Sequence, residues 1–145
     1  MSLDSGMYII TTVADNRHVG RFPIEDRSLR PKEVFALPQN IDLIVEKNDK
    51  GYKIKAGGAP TGTYDGFLFA FLLDNPEPED WVICAQPQHG ENVFTVEKQD
   101  RSKGWVRGDE EDHRGFKIEP LKSGKSEPPK FPPTELFVFT RIDRD

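Results

Sequence analysis

Ile44-Val45-Glu46-Lys47-Asn48-Asp49 runs into Gly51-Tyr52-Lys53-Ile54. A β-branched apolar start gives way to a polar turn, and a glycine then opens the alternation Tyr52-Lys53-Ile54-Lys55, the pattern of two strands joined by a tight turn. The same sequence of events recurs at Thr95-Val96-Glu97-Lys98-Gln99-Asp100, which leads into Gly104-Trp105-Val106-Arg107. A third copy ends the chain as Phe139-Thr140-Arg141-Ile142-Asp143, and its continuation stands at the beginning as Gly6-Met7-Tyr8-Ile9-Ile10. The glycine-led starts at 6, 51 and 104 lie 45 and 53 residues apart, the scale of a structural unit used several times.

Short β-branched and aromatic runs fill the rest: 7–12, 17–22, 33–37, 42–47, 51–56, 66–72, 80–85, 92–98, 104–107, 115–119 and 135–142. Gly, Pro, Asn and Asp clusters separate them, and no helical period lasts longer than a turn, so the chain is all-β. Four strands per unit over three units gives about twelve short antiparallel strands. Propellers need at least four blades, and an immunoglobulin-like sandwich has no threefold repeat. A β-trefoil fits: a six-stranded barrel capped by three hairpins, with pseudo-threefold symmetry and with first and last strands paired.

The 145 residues suit a single domain, 1–145, with Leu, Ile, Val and Phe making up about a quarter of the chain. A net charge of −5 argues against a nucleic-acid partner, and no apolar run is long enough to span a membrane. Cys84 is the only cysteine, and the amino terminus has neither a positive stretch nor an apolar core. The expectation is a cytoplasmic monomer without cofactors.

The segment Val19-Gly20-Arg21-Phe22-Pro23-Ile24-Glu25-Asp26-Arg27-Ser28-Leu29-Arg30-Pro31-Lys32 resembles the second strand and following loop of the mycospins, mushroom β-trefoil serine-protease inhibitors. Gly6-Met7-Tyr8-Ile9-Ile10 and Val34-Phe35-Ala36-Leu37-Pro38 are similar to that family as well; the detailed likeness covers residues 1–48 and is architectural beyond. The resemblance implies inhibition of trypsin-like enzymes, and it implies that the loop between strands 2 and 3 can carry the inhibitory residue.

A substrate-like inhibitor offers a stiff, extended loop, and the aspartate at the base of trypsin's specificity pocket calls for Arg or Lys before the scissile bond. Arg27 is the leading pocket residue, with Arg27–Ser28 as the bond. Glu25, Asp26, Leu29 and Arg30 flank it, and Pro23 and Pro31 restrict the ends. Arg30 is a poor scissile candidate because Pro31 follows it. The competing reading is a solvated turn with ordinary surface arginines. A second loop, 120–133, holds five prolines and the bonds Lys125–Ser126 and Lys122–Ser123, with Lys130 beyond. The resemblance allows a reactive site there too, between strands 11 and 12.

Other chemistry finds little support. His18, His89 and His113 fit no catalytic motif and read as surface histidines. No zinc spacing surrounds Cys84, and Asp109-Glu110-Glu111-Asp112-His113 departs from an EF-hand and reads as a solvated loop. Trp81-Val82-Ile83-Cys84-Ala85 reads as a core strand holding a buried, inert thiol. Ala56-Gly57-Gly58-Ala59-Pro60-Thr61-Gly62-Thr63 reads as a turn or loop and not a phosphate cradle. The alternatives to serine-protease inhibition are a sugar-binding trefoil, in which Trp81 and Trp105 would contribute to a site, and a trefoil inhibitor of cysteine proteases.

Overall fold

The computed structural model describes residues 3–22, 25–73, 77–108 and 115–142. Thirteen antiparallel strands follow one another: β1 (Gly6–Thr12), β2 (His18–Gly20), β3 (Lys32–Glu33), β4 (Phe35–Leu37), β5 (Leu43–Asn48), β6 (Gly51–Ala56), β7 (Ala59–Tyr64), β8 (Phe67–Ala70), β9 (Trp81–Ala85), β10 (Val93–Lys98), β11 (Gly104–Arg107), β12 (Phe116–Glu119) and β13 (Phe137–Arg141). Single turns of 3₁₀ helix cover Pro87–His89 and Pro133–Glu135.

Six of the strands close a ring. β1 pairs with β5, β5 with β6, β6 with β9, β9 with β10, β10 with β13, and β13 returns to β1. The chain's first and last strands therefore pair, Ile10 opposite Phe139, as the split third repeat requires. Three hairpins stand outside the ring: β2–β4, β7–β8 and β11–β12. Closure leaves the ring without a free edge.

Period-2 alternation turns two large side chains of each ring strand inward, such as Tyr8 and Ile10, Trp81 and Ile83, and Phe137 and Phe139, all at most 8% exposed. Full burial of each stabilises the fold by roughly 1.5–3 kcal/mol. Trp81 and Trp105 meet edge-to-face at 5.5 Å in the same core. The repeated glycine has a steric cause. Gly51 sits at φ +135°, and a Cβ there would lie 2.3 Å from the Trp81 carbonyl oxygen, so only glycine lets β6 cross β9.

Three expectations are corrected. Residues 59–64 form strand β7, and only Gly57-Gly58 turn, at φ +59° and +80°. The run 33–37 is two strands, because the chain changes partner at Val34: Lys32-Glu33 pair with β8, while Phe35–Leu37 pair with β2. The third unit begins at Val93 and not at Gly104. Gly104 opens β11 in a capping hairpin, whereas β1, β6 and β10 are equivalent ring strands whose starts lie 45 and 42 residues apart.

Candidate functional site

The hairpin tips differ in length. β7 and β8 are joined by Asp65-Gly66 alone, whereas eleven residues, 21–31, separate β2 from β3. This long connection is fastened at both ends. Arg21 grips Glu25 with two hydrogen bonds, Nη2–Oε1 at 2.5 Å and Nε–Oε2 at 3.1 Å, and its Nη1 donates to the carbonyls of Ala56 (3.0 Å) and Gly57 (3.3 Å). Both side chains of the pair are mostly buried, at 15% and 20% exposure, so water screens them little. Arg21 and, through it, Glu25 are thereby fastened to the β6–β7 turn.

The second fastening is Lys32, only 6% exposed at the start of β3. Its ammonium forms an ion pair with Asp26 Oδ1 and donates to the Asp26 carbonyl at 3.2 Å and to Ser28 Oγ at 3.3 Å. Asp26 Oδ1 also accepts from the Ser28 backbone N–H (2.9 Å) and hydroxyl (2.5 Å), which closes a short turn over Asp26-Arg27-Ser28. The Lys32 ammonium, then the Ser28 hydroxyl and amide, hold the Asp26 carboxyl well below the usual carboxylate range. Arg27 stands at the apex with its side chain exposed, followed by partly exposed Ser28 and exposed Leu29 (61%) and Arg30. The tip is therefore bent, not extended as the sequence suggested, because the Asp26 side chain captures the amide two residues on. Sequence reasoning singled out Arg27 and passed over both anchors. Nothing in the local pattern marks Arg21 or Lys32 as more than another surface cation. Pro23 lies outside the described residues.

The second loop, 120–132, joins β12 to the 3₁₀ turn before β13. The Gly124 N–H donates to the Lys130 carbonyl at 2.7 Å and pinches off a tip that exposes Lys125 and Ser126; Lys122 and Lys130 are exposed as well. Its base rests on the 87–89 turn, where Gln88 Nε2 donates to the Pro129 carbonyl (2.7 Å) and the Phe131 N–H to His89 Nε2 (3.0 Å). The Lys122 N–H donates to Glu135 Oε2 at 2.8 Å. Glu135 is 2% exposed and its Oε1 has no partner, and burial raises its pKa. Thus hydrogen bonds fasten described residues of both basic loops, by different means.

The other candidates resolve individually. Trp81 and Trp105 are fully buried and offer no face to a sugar. Cys84 is partly exposed, not buried, because it lies on β9 at a position outside the ring's core, and desolvation with the nearby Glu97 charge pushes its thiol pKa up. His18 and His89 are partly buried and so are not open-surface histidines; His89 is used as an acceptor by the second loop. Asp109-Glu110-Glu111-Asp112-His113 lies outside the described residues.

Residues 1–141 match the peptidase inhibitor I66 family. A serine protease inhibitor of Lentinula edodes is 34% identical over 98% of this chain and 100% of its own length. The chain belongs to the I66, or mycospin, family. A proteinase inhibitor from Coprinopsis cinerea superposes with a TM-score of 0.92 at 43% identity, over 97% of this chain and 100% of that one. A ricin B-like lectin from Macrolepiota procera, in complex with lactose, shares the fold alone: TM-score 0.67 at 14% identity, over 98% and 99% of the two chains. The I66 relatives are protease inhibitors and not enzymes.

Proposed function

We propose that this I66 protein is a β-trefoil inhibitor of trypsin-like serine proteases that acts by placing Arg27 in the specificity pocket. The trefoil reading rests on the six-stranded ring and its three hairpins. One observation carries the mechanism: Lys32 and Asp26 pin the residues on either side of Arg27, while the Arg27 side chain remains exposed. Pinning removes loop-ordering entropy before binding, so more of the contact energy appears as affinity. The planar guanidinium then meets the pocket carboxylate.

The same brace predicts slow turnover. Attack on the Arg27 carbonyl would release the Ser28 nitrogen as an amine. That nitrogen sits 2.9 Å from Asp26 Oδ1, and the Ser28 hydroxyl is tied to both Asp26 and Lys32. The leaving group stays beside the acyl carbon, and an amine held there favours resealing of the bond over hydrolysis.

Titration of trypsin with the protein, followed by mass spectrometry of the recovered inhibitor, tests this reading. Tight inhibition with slow cleavage after Arg27 is expected, lost in Arg27→Glu and kept in Lys125→Glu. Inhibition lost in Lys125→Glu and kept in Arg27→Glu would move the reactive site to the pinched tip of the second loop. Inhibition unchanged in the double variant would overturn both assignments.

A further inference from the structure

A protease–inhibitor interface of ordinary size buries about 800 Å² on each partner. The tip around Arg27 falls short of that, so a bound protease must touch more of this surface. The register of β3 against β8 shows where. Lys32 pairs with Ala70 and Glu33 with Phe69, antiparallel. Residues that follow Ala70 therefore leave the ladder at the same end as residues that precede Lys32. Leu73 stands three residues beyond Ala70, and Leu29 stands three residues before Lys32. These are the two most exposed large apolar side chains among the described residues, at 52% and 61%.

Behind Leu73 stands Phe71, itself 2% exposed and part of the interior. Phe71 is held to β7 through its N–H, 2.8 Å from the Pro60 carbonyl. Tyr64, 44% exposed, lays its ring against Phe69 at 5.1 Å and towards Phe71 at 6.5 Å, both edge-to-face. Exposed Tyr64 and partly exposed Phe69 thus form a strip on the hairpin beside the strand that leads out of the braced loop, joined to it by the β3–β8 pair, with Leu73 beyond the buried Phe71.

We infer that Leu73 and Tyr64 form a second contact for the serine protease docked on Arg27, an apolar exosite that adds area and selectivity among enzymes sharing the same pocket charge. The inference rests on the Arg27 reading above. The occupant follows from position, because a protease seated on Arg27 with Leu29 just past the scissile bond overhangs the end of β3–β8 from which Leu73 emerges. Enzymes with an apolar rim on the leaving-group side of the cleft are favoured; those with a charged rim are not.

The test is the inhibition constant and dissociation rate for trypsin of the wild type, Leu73→Asp, Tyr64→Asp, the milder Leu73→Ser and Arg27→Glu, with a thermal melt of each. The expected result is an inhibition constant raised about tenfold in Leu73→Asp, as for an interface anchor. It should come from faster dissociation, with an unchanged melting temperature and the same direction, smaller, in Leu73→Ser and Tyr64→Asp. Constants within twofold of wild type for both Asp variants, while Arg27→Glu abolishes inhibition, would overturn the exosite and leave the reactive loop standing. No effect of Arg27→Glu would overturn the loop reading and the exosite with it. A wild-type dimer in sedimentation that Leu73→Asp dissociates without changing inhibition would assign the strip to self-association and overturn the inference.

Discussion

Arg21→Met is the sharpest test of how this loop is held, because it acts six residues away from Arg27. The guanidinium of Arg21 makes four hydrogen bonds, two to the Glu25 carboxylate and two to the Ala56 and Gly57 carbonyls. Methionine keeps most of the stem and removes every donor. A net contribution near 1 kcal/mol for the carbonyl pair and about 2 kcal/mol for the largely buried charge pair puts the loss at about 3 kcal/mol. Part of it is global, since the β6–β7 turn loses a neighbour. If about half falls on the ordering of the loop, the inhibition constant rises roughly tenfold, at about 1.4 kcal/mol per decade. Urea denaturation reads the first quantity, and trypsin titration with mass spectrometry reads the second; cleavage after Arg27 should also quicken. Arg21→Met/Glu25→Gln should recover part of the stability, because the single variant strands a carboxylate at 20% exposure. A variant that loses stability but inhibits like the wild type would refute the claim that this brace governs presentation of Arg27. A variant unchanged in both would refute the brace itself.

Three further outcomes follow from charge and burial. Asp26 has its carboxyl depressed from an ordinary value of 3.8, so the stabilisation it gives is complete above that value and is lost as pH falls towards the depressed one. Exchange protection of the Ser28 amide, followed by NMR, should hold from neutral pH to about 5 and fall below about 4, and Asp26→Asn should abolish that dependence. Glu135 has the opposite sign. Its raised pKa means that its contribution is full below the ordinary 4.5 and is lost as pH rises through the folded value, so Glu135→Gln, which retains an acceptor for the Lys122 N–H, should melt higher than wild type at neutral pH and converge with it in acid. A gap constant with pH would contradict the burial argument. The two tryptophans separate a satisfied indole from an unsatisfied one. Trp81 Nε1 donates to Thr61 Oγ1 at 2.9 Å, and the buried Trp105 Nε1 has no partner. Urea denaturation should therefore find Trp81→Phe about 1–3 kcal/mol more costly than Trp105→Phe.

What the sequence discloses depends on whether the cause is local. Each of the eleven apolar runs contributes to a strand, since alternation and the glycine and aspartate punctuation act over a few residues. β7 was hidden because Pro60 and Gly62 look like breakers. Gly62 is there because the Phe71 ring lies where a Cβ would be, 2.5 Å from Cε2, a requirement set by a residue nine positions away. The partner exchange at Val34 is likewise tertiary: its N–H bonds to the Leu68 carbonyl at 3.0 Å. At the site, Arg27 was legible as a basic residue in a proline-flanked stretch. Lys32 was not, because its ammonium becomes a brace only after β3 pairs with β8 and buries the stem.

The closed ring also accounts for the placement of the site. Once six strands satisfy each other's backbone groups, a hairpin tip can lengthen at an entropic cost that grows only as the logarithm of its length. Two residues suffice between β7 and β8, and the eleven between β2 and β3 leave the ring unchanged. Length alone would yield a floppy loop, though, and a floppy basic loop is a substrate. On the proposed Arg27 reading, the departure from threefold symmetry becomes inhibitory through Arg21 and Lys32, neither of which need touch the protease. By this argument the loop's function should tolerate changes at Arg30 better than changes at Lys32, although Arg30 is exposed beside the bond and Lys32 is buried beneath it.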